Sequence, residues 1–255
     1  MKPFSSLLRF GRAHACWLLL LGGCADASVA PSTANVGLAG SMSRFAILGN
    51  TLYTVDSRSL RVFDLGSVSN TSQAPRLLRT TTLGVDIETI YPSGSYLFIG
   101  TQSGMYIFDA ADPQQPRQVG FYQHAVSCDP VVVDGRWAYL TLRTGRSCGG
   151  GPNQLQVIDL QNLNQPRLAQ SYPMTQPYGL GVDAGLLFVC DDGLKVFDTS
   201  QSPALTQRDQ FAIDAYDVIP SNGHLLVIGR QGLYQYQYAG RALQQLSFLP
   251  ITPRP

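Results

Sequence analysis

The strongest constraint on the fold is a short apolar run closed by an acid. Met105-Tyr106-Ile107-Phe108-Asp109 has close copies at Leu60-Arg61-Val62-Phe63-Asp64, Leu155-Gln156-Val157-Ile158-Asp159 and Leu194-Lys195-Val196-Phe197-Asp198. A worn copy follows at Leu233-Tyr234-Gln235-Tyr236-Gln237. From aspartate to aspartate the steps are 45, 50 and 39 residues, with 39 more to Gln237. Short apolar runs recurring about every 40 residues describe propeller blades of four strands each.

The segments between the copies support that reading. Turn residues separate the runs at Gly49-Asn50, Ser93-Gly94, Asp134-Gly135, Asp191-Asp192-Gly193 and Asn222-Gly223. Many strands are apolar at consecutive positions, as in Val131-Val132-Val133 and Leu186-Leu187-Phe188-Val189. A sheet held between two neighbours buries both faces and loses alternation, whereas a two-layer sandwich would keep it. No segment carries a capped helical period. The expected fold is all-β, a single β-propeller of five four-stranded blades wrapped into a closed disc. Its blades fall at about 41–83, 84–126, 127–174, 175–213 and 214–251. The recurring Asp has a structural role, accepting N–H groups of the next two residues to start a turn. The trailing Pro75-Arg76, Pro116-Arg117 and Pro166-Arg167 then open the outer strand, where proline is tolerated.

The pentapeptide with its closing Asp and trailing Pro-Arg resembles the LVIVD-repeat family of bacterial surface β-propellers. The resemblance covers roughly residues 41–251 and departs at Gln235 and Gln237. It implies the propeller fold and says little about activity, because one fold hosts many functions.

The chain begins with Lys2, Arg9 and Arg12 ahead of an apolar run from Ala15 to Leu21, then Gly22-Gly23-Cys24. This is the pattern of a secretory signal peptide, too short for a membrane span. Leu21-Gly22-Gly23-Cys24 resembles a bacterial lipobox, which implies cleavage after residue 23 and lipidation of Cys24. With Ala25 next rather than an aspartate, the outer membrane is the expected destination. Residues 24–40 are small and polar and form the expected tether, leaving 41–255 as the propeller domain.

Charge excludes one class of partner. The chain carries 18 basic and 17 acidic residues, and loss of Lys2, Arg9 and Arg12 leaves 15 against 17. No basic field attracts a nucleic-acid backbone. Of the five cysteines, Cys16 leaves with the signal peptide, Cys24 carries lipid and Cys190 sits in an apolar strand. Cys128 and Cys148 remain, and an exported chain makes a disulfide between them the expectation. Cys148 lies in the long insertion Arg143–Asn153, which accounts for the 50-residue step.

In a propeller blade, the segment leading into the first strand shares a face with the second hairpin. Six residues before the glycine-bearing first turns stand Arg44, Glu88, Asp129, Gly179 and Asp217. With Cys128, Tyr178 and Tyr216 beside them, these are the candidate residues of the central channel mouth. Glu88, Asp129 and Asp217 could hold calcium, although no cofactor is required; the plainer reading is a solvated rim paired with Arg44. His124 and His224 lie in no metal-ligand spacing, and nucleophile-elbow and Cys-x-x-Cys motifs are absent. The expected function is a lipid-anchored binding or interaction module of the cell envelope, taking a protein or polar small molecule. The alternatives are a metal-assisted hydrolase or lyase at the acidic mouth and a scaffold for outer-membrane assembly.

Overall fold

The computed structural model describes residues 40–66, 74–128, 130–145, 149–239 and 242–251. All belong to one unit, Ala34–Pro255. Twenty strands form five four-stranded antiparallel sheets, each in chain order. Blade 1 holds β1 (Phe45–Leu48), β2 (Thr51–Val55), β3 (Ser59–Asp64) and β4 (Arg76–Thr82). Blade 2 holds β5 (Ile87–Ser93), β6 (Tyr96–Thr101), β7 (Gly104–Asp109) and β8 (Arg117–Gln123). Blade 3 holds β9 (Val131–Asp134), β10 (Trp137–Leu142), β11 (Gln154–Asp159) and β12 (Arg167–Pro173). Blade 4 holds β13 (Leu180–Asp183), β14 (Leu186–Cys190), β15 (Leu194–Asp198) and β16 (Thr206–Phe211). Blade 5 holds β17 (Ala215–Ser221), β18 (His224–Gly229), β19 (Gly232–Ala239) and β20 (Ala242–Pro250). The first strands of successive blades stand side by side, so the array is an all-β propeller of five blades.

The repeated pentapeptide is the third strand of each blade, and its details recur in the backbone. The ladder to the fourth strand shifts register at Val62/Phe63, Ile107/Phe108, Val157/Ile158, Val196/Phe197 and Gln235/Tyr236. Such a bulge bends the outer strand and increases its twist. The closing aspartates then cap the following turn. Asp64, Asp109, Asp159 and Asp198 accept the N–H of Gly66, Ala111, Gln161 and Ser200 at 2.8–2.9 Å. Arg76, Arg117 and Arg208 pair with Asp64, Asp109 and Asp198 from the outer strand. Arg136 binds Asp159 at 2.6 Å from a neighbouring turn and holds that carboxyl down at about 2.

Four buried apolar clusters bind successive blades. The first joins Tyr53, Val55 and Leu60 to Ile90, Leu97 and Ile99. The second joins Phe98, Met105 and Ile107 to Val131, Val133 and Leu140. The third joins Val132, Tyr139 and Val157 to Leu180, Leu187 and Val189. The fourth joins Phe188, Leu194 and Val196 to Val218, Leu225 and Val227. Burial on both faces explains the consecutive apolar positions of β6, β10 and β14. Tyrosines add polar links, as where Tyr122 donates to Gln156 Oε1 at 2.9 Å.

Blades 5 and 1 meet differently. Among the described residues no buried cluster joins them. On blade 5 the outward side chains of β18, Leu226 and Ile228, keep more than a third of their surface in solvent. On blade 1, Phe45 and Leu77 are more than half exposed. The contact is made near the axis by Gly40 and Ser41. The Ser41 hydroxyl donates to Asp217 Oδ1 at 3.1 Å and accepts the Leu180 N–H at 2.9 Å. Among the described residues the junction is therefore a polar seam in place of a fifth apolar interface.

Candidate functional site

The site is built by irregularities at the start of the first strands. In β5 and β17 the register to the second strand jumps from Ile87 to Thr89 and from Ala215 to Asp217. Glu88 and Tyr216 are the extra residues. In blade 4 the Tyr178 N–H donates to Cys190 O, and the Cys190 N–H returns to Gly179 O, so two residues again oppose one. A bulge turns its extra side chain away from the ladder, here toward the face where the first strands begin.

Strand pairing corrects the ring drawn from sequence. Counted from the last paired residue of each first hairpin (Leu48, Ser93, Asp134, Asp183 and Ser221), the equivalent residues are Ser43, Glu88, Asp129, Tyr178 and Tyr216. Glu88 and Asp129 hold the positions expected of them, whereas Gly179 and Asp217 lie one residue further along; Arg44, one residue beyond Ser43, still lines the cavity described below. The slip has a local cause. The turn glycine comes first in the two-residue turn of blades 2 and 3 but second in blades 4 and 5, after Ala184 and Asn222 at φ near +50°. In an extended strand a one-residue shift reverses the side chain.

A cavity of about 220 Å³ opens at the mouth, lined by Met42, Arg44, Glu88, Thr89, Cys128, Pro130, Arg143 and Tyr178. Four of the eight (Arg44, Glu88, Cys128 and Tyr178) were expected from sequence. Arg143 was not, because it follows β10 at a position, held by Gln102 in blade 2 and Arg230 in blade 5, that the repeated pentapeptide does not mark. Its guanidinium lies 4.4 Å from the centre of the Tyr178 ring, a cation–π arrangement. Arg44 reaches across the blade boundary to donate to Ile87 O at 3.2 Å. Asp129 lies outside the described residues.

Asp217 is placed elsewhere. It lines neither cavity on this face and is 7% exposed, beneath the mouth. Burial lifts its carboxyl from 3.8 to about 6, against the pull of hydrogen bonds from Val218 N–H, Ser41 Oγ and Met42 N–H. Its room comes from two glycines: a Cβ at Gly179 would stand 2.1 Å from Oδ1, and one at Gly40 2.5 Å from Oδ2. The carboxylate is a fastening of the seam, removed from the solvent where calcium or substrate would arrive. Among the described residues, no three His, Cys, Asp or Glu side chains gather where they could hold a metal ion.

The insertion folds back over this face. Cys128 and Arg143 form an isolated bridge, with N–H···O distances of 3.2 and 3.1 Å in the two directions. Gly145 and Gly149 close a tighter bridge above it. Gly149 rests on Val126, where a Cβ would come within 2.7 Å of the carbonyl oxygen. Asn153 pins the base by accepting the Thr144 N–H at 2.8 Å and donating to Thr175 O at 2.7 Å. Cys128 is not a free thiol, whereas Cys190 is free and buried. Cys148 and the lipidation candidate Cys24 lie outside the described residues.

A second cavity, of about 420 Å³, adjoins the first between blades 4 and 5 and shares Tyr178 with it. Tyr216 stands 5.6 Å from Tyr178, tilted by 55°. Arg230 Nε donates to the Tyr216 hydroxyl at 3.2 Å and forms an ion pair with Asp214 at 3.0 Å. Asp191 is fully buried in the floor, where it accepts the N–H groups of Thr175 and Gln176 and binds Lys195 at 2.6 Å. The sequence had marked Asp191 only as a turn residue, and Asp214 and Arg230 not at all.

Known proteins share this architecture without close sequence similarity. No protein-family model matches the chain, and neither does any curated protein. A solved protein from Lactobacillus plantarum superposes with a TM-score of 0.61 at 13% identity, over 80% of this chain and 73% of its own. A putative 6-phosphogluconolactonase from Bacteroides fragilis gives 0.62 at 14% identity, over 81% and 69%. Apo AztD from Citrobacter koseri gives 0.58 at 13% identity, over 83% of this chain but only 60% of its own. At these identities the likeness concerns the fold alone: the chain is a five-bladed β-propeller related in architecture to β-propeller-like proteins.

Proposed function

We propose that the chain is a binding module of the bacterial cell envelope, of the LVIVD-repeat propeller kind, held to the outer membrane by lipid on Cys24. Its working surface is the face where the first strands begin. The observation that carries this reading is convergence: bulges from blades 2, 4 and 5 and the blade 3 insertion all turn polar or aromatic side chains onto that one face. Loops and bulges re-aimed to one end of a rigid scaffold are where recognition concentrates. A Cys128–Cys148 disulfide fastens the insertion over the mouth; the bonded state of Cys128 and the glycine bridge beside it support this pairing. A protein or polar small molecule is the ligand class, and nucleic acid is excluded by the near-balanced charge.

The hydrolase or lyase alternative draws less support, since Asp217 is spent on the seam. An outer-membrane assembly scaffold differs from a small-molecule binder only in the partner. The test is a quantitative pull-down from a solubilised envelope fraction using the mature chain, with Arg44→Ala and Arg143→Ala as mouth variants and Arg79→Ala as an outer-strand control. Partners lost with the mouth variants and kept with the control support the reading; partners indifferent to all three end it. Cys24→Ser should release the protein from membranes. Peptide mapping without reductant should find Cys128 joined to Cys148.

A further inference from the structure

The cavity between blades 4 and 5 has a chemistry distinct from the mouth. Two of its three lining carboxylates are neutralised where they stand. Asp191 is bound by Lys195, and Asp214 by Arg230, so Asp192 is the one lining carboxylate outside an ion pair. A site for a phosphate or carboxylate would carry an excess of cations, and one for a metal ion a cluster of oxygen ligands. This cavity instead holds planar hydrogen-bonding groups, the Arg230 guanidinium, the Asp214 and Asp192 carboxylates and the Gln176 amide, beside two half-buried tyrosine rings.

The arrangement is fixed by the fold. A Cβ at Gly229 would lie 2.2 Å from Asp214 O, so the glycine lets the end of β18 lie against the segment before β17, bringing Arg230 beside Asp214. Gly193 has φ +103° and lies against Phe211 O, which closes the floor beside buried Asp191. Tyr178 is steadied by Arg143 on the mouth side and by Tyr216 on this side.

We infer that this cavity binds a neutral polyhydroxylated ligand, a mono- or disaccharide, with its ring C–H groups on Tyr216 and its hydroxyls on Arg230, Asp214 and Gln176. Vicinal hydroxyls both donate and accept, matching a wall that offers guanidinium donors, carboxylate acceptors and an amide with both. Neutral ligands need no excess charge, and a volume of about 420 Å³ lies within the ordinary range for small-molecule sites. The inference rests on this being the binding face, but the cavity can succeed or fail independently of the mouth.

The experiment applies the mature chain to an array of neutral and acidic saccharides and measures hits by saturation-transfer NMR and calorimetry, with spermidine and inorganic phosphate as ionic probes. Neutral saccharides should bind, with transfer strongest to their ring C–H protons. Tyr216→Ala should weaken binding about tenfold. Tyr216→Phe, which keeps the ring, should lose less, and Arg44→Ala at the mouth should leave the affinity unchanged. Binding of acidic saccharides, spermidine or phosphate alone, absence of any saccharide binding, or an affinity unmoved by Tyr216→Ala in a variant that melts like the wild type would each overturn the inference. Loss of pulled-down partners with Arg44→Ala alongside intact saccharide binding would separate the two readings.

Discussion

Replacing Asp217 by asparagine should change how stability depends on pH. The wild-type carboxyl has its folded-state pKa raised from 3.8 to about 6, first by burial. A raised acid binds more protons in the folded than in the unfolded chain between those values. Its contribution is therefore fully present below about pH 3.8 and is lost as pH rises through about 6. At roughly 1.4 kcal/mol per pH unit, the loss amounts to about 3 kcal/mol at neutral pH. Other carboxylates run the opposite way: Asp159, held at about 2 chiefly by Arg136, favours the fold above the ordinary Asp range. The informative quantity is thus the difference between the two proteins. Urea unfolding of wild type and Asp217→Asn at several pH values from about 3.5 to 7.5 should show the variant gaining relative stability as pH rises, by up to about 3 kcal/mol. A difference that stays flat, or that favours the wild type increasingly at high pH, would refute the placement of this carboxylate in a desolvated seam.

Gly179→Ala should destabilise by about 1–3 kcal/mol, because its new methyl group meets Asp217 Oδ1 at 2.1 Å, and chemical denaturation would measure this. Shortening the acid with Asp217→Ser in the same chain should recover part of the loss. Cys190 should resist a disulfide reagent until the protein unfolds, since burial pushes its thiol well above the ordinary value; rapid native-state labelling would contradict this. Asp109→Ala should cost about 1 kcal/mol by removing the cap on Ala111, measurable as a lowered melting temperature.

The architecture was legible because its cause is local and repeated. Leu60-Arg61-Val62-Phe63-Asp64 and its copies encode a strand, a bulge and a capped turn within a few residues, so reading one reads them all. The site was less legible because it depends on what differs between blades. Whether a turn glycine stands first or second shifts the count by one, and that step exchanges Tyr216, which lines the cavity beside the mouth, for buried Asp217. Arg143 and Arg230 left no trace in the pentapeptide pattern; the available clue was Gly229 beside Arg230, where Asp214 O leaves no room for a side chain. The seam was also hidden. Leu225, Leu226, Val227 and Ile228 form one apolar run, yet alternate members face blade 4 and solvent.

The seam also bears on how the protein comes apart. Among the described residues four greasy joints and one polar clasp hold the sheets, so a terminal sheet can loosen by breaking one greasy joint and the clasp while a middle one must break two greasy joints. Blade 3, the furthest from the clasp on either side, should be the slowest to exchange its amides, and opening should begin where Ser41 lets go of Asp217.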